Sequence, residues 1–225
     1  MWPFDKHGQQ RQPYALPLFP LKTVLYPGGL LPLRIFEVRY LDMIGKCHKV
    51  GAPFGVVALT RGSEVQRAPV AGPTGDAFPD EGFHDVGTLA TITALSRPQP
   101  GLIEIRCVGT QRFTLRRREK LRHGLWVGDV QLMADDLPTP LPPDLEPIAQ
   151  GLGRLIKRLQ EQGLPEAQLP MVAPMRLDDC GWVANRWCEL LGLPPELQQR
   201  LMVLDNPLVR LELIGDILQR QGIEP

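Results

Sequence analysis

Residues 16–41 decide the fold of the first part of this chain, and they read Leu16-Pro-Leu-Phe-Pro-Leu-Lys-Thr-Val-Leu-Tyr-Pro-Gly-Gly-Leu-Leu-Pro-Leu-Arg-Ile-Phe-Glu-Val-Arg-Tyr-Leu41. The apolar runs 16–21 and 23–26 are broken by prolines, which predicts extended segments at sheet edges or strand starts, because proline cannot donate a ladder hydrogen bond. Tyr26-Pro-Gly-Gly29 predicts a turn after them. The chain therefore begins with β-type segments.

The residues after Phe36 predict one amphipathic helix over 37–49. Apolar residues recur there every three or four positions, which is the period of a helix that packs one face against a core. Gly51 is expected to end the helix, since glycine is the usual residue after a helix C-terminus. The predicted inward face carries Val38, Leu41, Ile44 and either Cys47 or His48.

Beyond this helix the pattern is that of a β domain that runs to residue 133. The continuous apolar run 54–59 predicts a strand buried on both faces, and the Pro- and Gly-rich segment 63–84 predicts a long exposed loop. In the last part, Phe113 is expected to point inward and Arg112 toward water. Six or so short strands with one early helix suggest a small barrel or pseudo-barrel. Further strands are predicted at 85–95, 102–108, 112–118 and 125–132.

A proline-rich segment, 134–144, separates this β lobe from a helical C-terminal part. It carries four prolines in eleven positions, which cannot continue a sheet or a helix, so we expect an exposed linker. Helical periods over 145–225 predict four helices in a bundle, with Asp144 and Asn206 as N-cap residues. The predicted fold class is α+β, with a β-rich lobe over 1–133 and a helical bundle over 145–225.

The composition is that of a globular chain without a dominant charge. Of its 225 residues, 43% are apolar and 22% charged, and 25 Lys and Arg balance 25 Asp and Glu. Such a chain has no global field that would concentrate a polyanion, so nucleic acid and membrane surfaces are not expected as partners. No apolar run approaches the roughly 20 residues of a membrane span, and the N-terminus lacks the features of an export signal. We expect a cytoplasmic protein.

The residues that catalysis would need are missing or scattered. The two serines, Ser63 and Ser96, lie in no nucleophile motif. Gly45-Lys46 lacks the first glycine of a phosphate-binding loop, because Tyr40 stands in its place. Cys47-His48 is the one adjacent thiol and imidazole, but neighbouring residues of a helix point about 100° apart. The four cysteines and four histidines form no metal-ligand pattern. The sequence therefore predicts no enzyme, no cofactor and no metal site.

Residues 16–41 resemble the opening of the Lon protease N-terminal (LON substrate-binding) domain, in its stand-alone bacterial form. The fragments 54–57, 86–90 and 103–113 follow in the order of that family, and Arg210-Leu211 resembles its Arg-Leu near the end. The resemblance covers nearly the whole chain. It implies a PUA-like β pseudo-barrel followed by a helical bundle, without the ATPase and peptidase domains of a full Lon protease. Two departures from the family pattern are Val38, where relatives often carry proline, and Gln66-Arg67, where a glycine is common.

The function that the resemblance implies is non-enzymatic binding of substrate polypeptide, as an accessory to proteolysis or protein quality control. The partners would be unfolded or extended polypeptide segments, with a protease or a chaperone as further candidates. Such segments bind by strand addition or through apolar anchors in a groove. The structural alternative is that Phe36 and Phe113 lie in the core and that Arg34 or Arg39 pairs with Glu37. The candidate substrate-binding residues are Arg34, Phe36, Glu37, Arg39, Tyr40, Arg112 and Phe113.

RNA binding is the alternative function. Residues 112–123 hold the main concentration of basic side chains, and PUA-like barrels also occur in RNA-modifying proteins. The strip from Arg112 to Arg122 would then contact phosphates. The zero net charge of the chain argues against this function, as does the tendency of alternating basic residues on a strand to form an ordinary solvated face.

Overall fold

The computed structural model describes residues 14–62, 81–162, 171 and 173–223. The chain divides into two compact units. The first unit comprises Met1–Pro27 and Leu31–Ala134, and the second comprises Gly28–Leu30 and Asp135–Pro225. The fold class is mixed α+β, with six strands in one sheet and five α-helices among the described residues.

The described part of the first unit contains one helix and the strands, except for Leu30 at the start of the second strand, which belongs to the second unit. These are β1 (Tyr14–Leu21), β2 (Leu30–Ile35), α1 (Val38–Val50), β3 (Phe54–Arg61), β4 (Gly82–Gln99), β5 (Leu102–Lys120) and β6 (Trp126–Leu132). The predicted turn is confirmed, with Gly28 at a φ of 74°. Of the predicted loop 63–84, residues 63–80 lie outside the described part of the chain. Its end was predicted wrongly, because β4 already begins at Gly82 and Glu81 is buried.

Five of the strands pair in a closed ring. β1 runs parallel to β3, and the pairs β3–β4, β4–β5, β5–β6 and β6–β1 are antiparallel. The ring closes because β6 pairs with both β1 and β5. β2 lies outside the ring, next to β5, and has one neighbouring strand among the described residues. β2 is therefore an edge strand.

β5 is one continuous strand where the sequence predicted two, and a bulge within it explains the burial of Arg112. Thr88 and Ala90 of β4 face Arg112 and Gly109 of β5, so β5 has one extra residue between these positions. An extra residue swaps the two faces of a strand. Arg112 consequently continues the buried row of Cys107 instead of facing water, and it is 3% exposed. The expected exposure of Arg112 was wrong for this reason.

α1 packs a face that overlaps the predicted one: Ile44 and Cys47 are buried and Leu41 packs against the same cluster. Gly51 ends the helix at a φ of 65°, as predicted. Val38 is exposed, however, and not part of the inward face. The inward row runs through Tyr40, Met43, Ile44 and Cys47, which have the i, i+3, i+4, i+7 spacing of a helix stripe. These side chains join residues of β1, β2, β3 and β5 in one apolar cluster.

The described part of the second unit contains four α-helices. Asn206 caps the last helix through hydrogen bonds from two backbone N–H groups, as predicted. Asp144 does not cap the first helix, because a short 3-10 turn over Pro143–Leu145 precedes it. Asp179 caps the second helix of this unit, because its side chain accepts a hydrogen bond from the N–H of Trp182. The helices are α2 (Glu146–Glu161), α3 (Cys180–Leu190), α4 (Pro195–Val203) and α5 (Pro207–Arg220).

The proline-rich segment that was predicted as a linker is tied into the second unit. The N–H of Leu141 donates to the carbonyl of Asp178 at 3.1 Å, and the N–H of Cys180 donates to the carbonyl of Thr139 at 2.9 Å. These bonds form a short antiparallel ladder beside the start of α3. Residues 135–144 are therefore a partly exposed but attached segment, not a free hinge.

Arg210 of α5 connects four parts of the second unit. Its side chain is 1% exposed. It donates to Asp136 Oδ2 at 2.6 Å, to Asn185 Oδ1 at 2.9 Å and to the carbonyl of Leu201 at 2.9 Å. It also donates to the carbonyl of Leu204. The side chain thus holds the proline-rich segment, α3 and the end of α4 around α5.

A second buried arginine ties residues 28–30 to α3. Arg186 donates to the carbonyl of Gly28 and pairs with Glu189, whose Oε2 lies 2.9 Å from its Nε. Burial raises the pKa of the Glu189 carboxyl from its ordinary 4.5 to about 7, against the opposing effect of the Arg186 charge. Glu189 therefore titrates near neutral pH in the folded protein.

We expect the contribution of Glu189 to stability to fall as the pH rises from about 5 to 8. Its pKa is about 7 in the folded state and near 4.3 in an unfolded chain. Over this interval the folded protein binds more protons at Glu189 than the unfolded chain does, so the free energy of unfolding decreases as the pH rises. Urea unfolding of the wild type and of Glu189→Gln at both pH values measures this. The difference between the two proteins should change by at most about 3 kcal/mol. A pH-independent difference would contradict the prediction.

Candidate functional site

An exposed apolar surface lies where β2 leads into α1. Phe36 is 54% exposed and Val38 is 80% exposed. Arg34 is beside them at the end of β2, also largely exposed, with its Nε 3.1 Å from Oε1 of Glu104. We call Arg34, Phe36 and Val38 the junction surface. In the described part of the first unit, the large exposed apolar side chains are Phe36, Val38 and Val50, and Val50 lies at the other end of α1.

The junction surface follows edge strand β2, which has one neighbouring strand among the described residues. An edge strand presents unpaired backbone N–H and C=O groups, to which another extended chain can pair. β2 is six residues long, with exposed Pro32 in its middle. Proline has no N–H, which limits uncontrolled pairing along this edge. The arrangement favours a short backbone contact that ends at exposed apolar side chains.

A buried polar network fixes the start of α1 beneath this surface. Arg39 Nε lies 3.0 Å from Glu37 Oε2, and Arg39 Nη1 donates to the carbonyl of Gly124 at 2.8 Å. Glu81 accepts from Arg39 Nη2 at 3.5 Å and from Trp126 Nε1 at 2.6 Å. Glu37 and Arg39 are therefore structural, and their pairing agrees with the structural alternative.

Tyr40 is also part of the core. Its ring stacks on Phe19 with 3.9 Å between the centroids and an interplanar angle of 17°. The Arg39 guanidinium lies 4.4 Å from the centroid of the Tyr40 ring. Burial raises the pKa of the Tyr40 hydroxyl well above its ordinary value. Tyr40 thus anchors α1 on β1 and is not available to a ligand at the surface.

The predicted site residues consequently divide into two groups. Arg34 and Phe36 are exposed together, whereas Glu37, Arg39 and Tyr40 lie behind them. Arg112 and Phe113 are buried, and Phe113 belongs to the apolar cluster inside the strand ring.

Sequence reasoning missed Val38, which it placed in the core. The row Tyr40, Met43, Ile44 and Cys47 fits the helix period more closely than a row that includes Val38. This signal would have identified Val38 as an outward residue.

The basic strip that suggested RNA binding starts later than predicted and is partly engaged. Arg116 donates to Gln131 at 3.0 Å. Arg118 lies 4.6 Å above the Phe83 ring, and Lys120 lies 5.3 Å from the centroid of the Trp126 ring. These cations cover aromatic faces on which a nucleobase would stack.

Other kinds of site find little support in the described residues. Over 14–62, 81–162, 171 and 173–223, no group of three or more His, Cys, Asp or Glu side chains could hold a metal ion. Within those same ranges, no helix is long and apolar enough to cross a membrane. Burial raises the pKa of the Cys47 thiol to about 11, which disfavours the reactive thiolate.

The comparisons with known proteins agree on one family. The model of the ATP-dependent protease La (LON) substrate-binding domain matches residues 15–220. The structure is similar to that of a Lon N-terminal domain protein from Xanthomonas campestris, with a TM-score of 0.65 and 29% identity over 94% of this chain and 99% of that chain. It is also similar in fold to the N-terminal domain of the Mycobacterium avium complex Lon protease, with a TM-score of 0.53 and 12% identity over 90% of this chain and 97% of that chain. No curated protein matches. Because the family match extends from β1 to the end of α5, the chain belongs to the LON substrate-binding domain family.

Proposed function

We propose that this protein binds unfolded or extended polypeptide segments at the junction surface, without catalysing a reaction. The observation that carries the proposal is the exposure of Phe36 and Val38 directly after edge strand β2. Membership of a substrate-binding family supports the same function. Folded proteins bury their apolar side chains and pair their strand edges, so only an unfolded segment offers both groups together.

The geometry gives this binding a simple physical basis. A client segment pairs with the backbone of β2 and packs an apolar side chain against Phe36 and Val38. Burying side chains of this size contributes about 1.5–3 kcal/mol each at most. Ordering the client backbone costs about 1 kcal/mol per residue, so the affinity is modest. The Arg39–Glu81 network fixes the junction before a client binds. This protein therefore loses less conformational entropy on binding.

We also infer that the first unit is a PUA-like pseudo-barrel and that the helices of the second unit form a bundle, as the family resemblance implies. The closed five-strand ring supports a PUA-like pseudo-barrel, and the four helices described in the second unit support a bundle. A module that holds clients without converting them would serve as an accessory in proteolysis or protein quality control, with a protease or chaperone as second partner. The cytoplasmic location stays a prediction.

The test compares binding of a reduced, alkylated model protein with binding of its native form. Wild type should bind the unfolded form more tightly. The double variant Phe36→Ser, Val38→Ser should lose about tenfold in affinity, equivalent to about 1.4 kcal/mol of lost apolar contact. Its melting temperature should stay close to that of the wild type, because both side chains are exposed.

Val50→Ser is the matched control, since it removes an exposed apolar side chain from the opposite end of the same helix. This variant should bind as the wild type does. Equal binding of native and unfolded clients, or an equal loss in Val50→Ser, would contradict the proposed function.

RNA binding has less support than polypeptide binding. Arg112 is buried, and Arg118 and Lys120 occupy ring faces that bases would need. An RNA affinity that falls steeply with salt, and that is lost in Arg116→Gln, would favour it nevertheless.

A further inference from the structure

The second unit contains a cavity of about 680 Å³ that the proposed function does not use. It lies between the proline-rich segment, residues 176–179 and the first turns of α2. Its volume is within the range of ligand sites in proteins, roughly 300–1,000 Å³. The apolar part of its lining is formed by Pro138, Pro140, Leu141, Ala149 and Leu177.

The proline-rich wall of this cavity has no free backbone donor. Pro138 and Pro140 have no N–H. The N–H of Thr139 donates to Asp179 Oδ2 at 3.2 Å, and that of Leu141 donates to the carbonyl of Asp178. The Thr139 hydroxyl donates to the carbonyl of Leu137 at 2.9 Å. A polar ligand against this wall must therefore supply the donors itself.

The charged side chains of the cavity also favour a ligand that donates hydrogen bonds. Asp179 is already used, because it caps α3 and its Oδ2 lies 3.0 Å from Arg176 Nη2. The carboxylates of Glu146 and Asp178 also line the cavity, and both residues are exposed. Neither carboxylate forms an ion pair or side-chain hydrogen bond with the part of the chain that the structure describes. Once Asp179 and Arg176 neutralise each other, two negative charges remain among the described residues of the lining.

We infer that this cavity binds an arginine side chain of an extended polypeptide. An arginine combines an aliphatic stem, which packs on proline and leucine, with a cationic head that has five N–H donors and no acceptor. The stem would lie along Pro138, Pro140 and Leu141, and the guanidinium would donate to Glu146 and Asp178. The inference rests on the proposed function in one respect, that the ligand is a polypeptide. It adds a preference for basic segments that the junction surface does not provide.

The experiment uses two dye-labelled, blocked pentapeptides of sequence Ala-Leu-X-Leu-Ala, in which X is arginine or citrulline. Citrulline has nearly the same shape as arginine but carries no charge. Fluorescence anisotropy with the full chain should show that the arginine peptide binds about fivefold or more tightly, which is the effect of a favourable partly exposed ion pair. The double variant Glu146→Gln, Asp178→Asn should remove this preference.

Glu196→Gln is the matched control, because Glu196 occupies the first turn of α4 as Glu146 occupies that of α2, and it does not line the cavity. It should leave the preference unchanged. Equal binding of the two peptides, no binding of the arginine peptide, or a wild-type preference in the double variant would overturn the inference. Phe36→Ser, Val38→Ser should keep the arginine preference. If the wild type bound unfolded and native client proteins equally, the proposed function would be overturned. The preference for the arginine peptide over the citrulline peptide would still stand.

Discussion

Replacement of Arg210 by methionine is expected to lower the free energy of unfolding by about 3–5 kcal/mol, because it removes one partner of a buried ion pair and leaves the others uncompensated. Asp136 loses its cation, Asn185 loses a donor, and the carbonyls of Leu201 and Leu204 lose theirs. Methionine fills a similar volume, so the effect reports lost polar contacts more than a cavity.

Chemical denaturation followed by circular dichroism measures this effect. Arg220→Met is the control, because Arg220 is an exposed residue in the last turn of the same helix. We expect that variant to remain within about 0.5 kcal/mol of the wild type. A loss below about 1 kcal/mol for Arg210→Met would show that the buried contacts contribute little net stability.

Gly109→Ala is expected to be the second severe change, with a loss of about 3 kcal/mol. A Cβ atom at this position would lie 2.2 Å from the carbonyl oxygen of Tyr26 and 2.9 Å from Leu25 Cγ. A backbone oxygen cannot move aside as a flexible side chain can, so β5 or the turn near Tyr26 would have to shift.

Gly45→Ala provides the opposite expectation within the same unit. A Cβ at Gly45 meets no atom within 4 Å, and alanine is a better helix residue than glycine by about 0.5–1 kcal/mol. Thermal unfolding should therefore show stabilisation of this variant and destabilisation of Gly109→Ala. Similar melting temperatures for the two would contradict the close approach of Gly109 to the Tyr26 carbonyl.

Local patterns predicted the features of the fold that depend on neighbouring residues. The turn at Gly28, the helix stop at Gly51 and the Asn206 cap are decided by backbone conformation and short-range hydrogen bonds, which residue types indicate directly. The extra residue in β5 and the closure of the ring through β6 depend on strands far apart in sequence. The prediction for Arg112 was wrong because inward and outward side chains alternate regularly along an unbroken strand, and the bulge in β5 reverses this alternation.

The candidate site shows the same limit. Phe36 and Arg34 were identified from the family resemblance, but nothing local distinguishes an exposed Phe36 from a buried Phe113. The partners of Arg39 include Gly124 and Glu81, which lie 85 and 42 residues away in the chain. Such partners decide whether a charged residue is structural or free to bind, and sequence spacing does not contain them.

The membership of residues 28–30 in the second unit affects the order in which the protein is completed during synthesis. The hydrogen bond between Gly28 and Arg186 joins residues 158 positions apart. Gly28 leaves the ribosome long before Arg186 is synthesised. Closing so long a loop also carries an entropy cost. The first unit can be translated in full while the second still lacks α3. A fragment that begins at residue 135 would contain the buried Arg186 cation without the carbonyl that it binds, so truncation at the boundary does not yield the intact second unit.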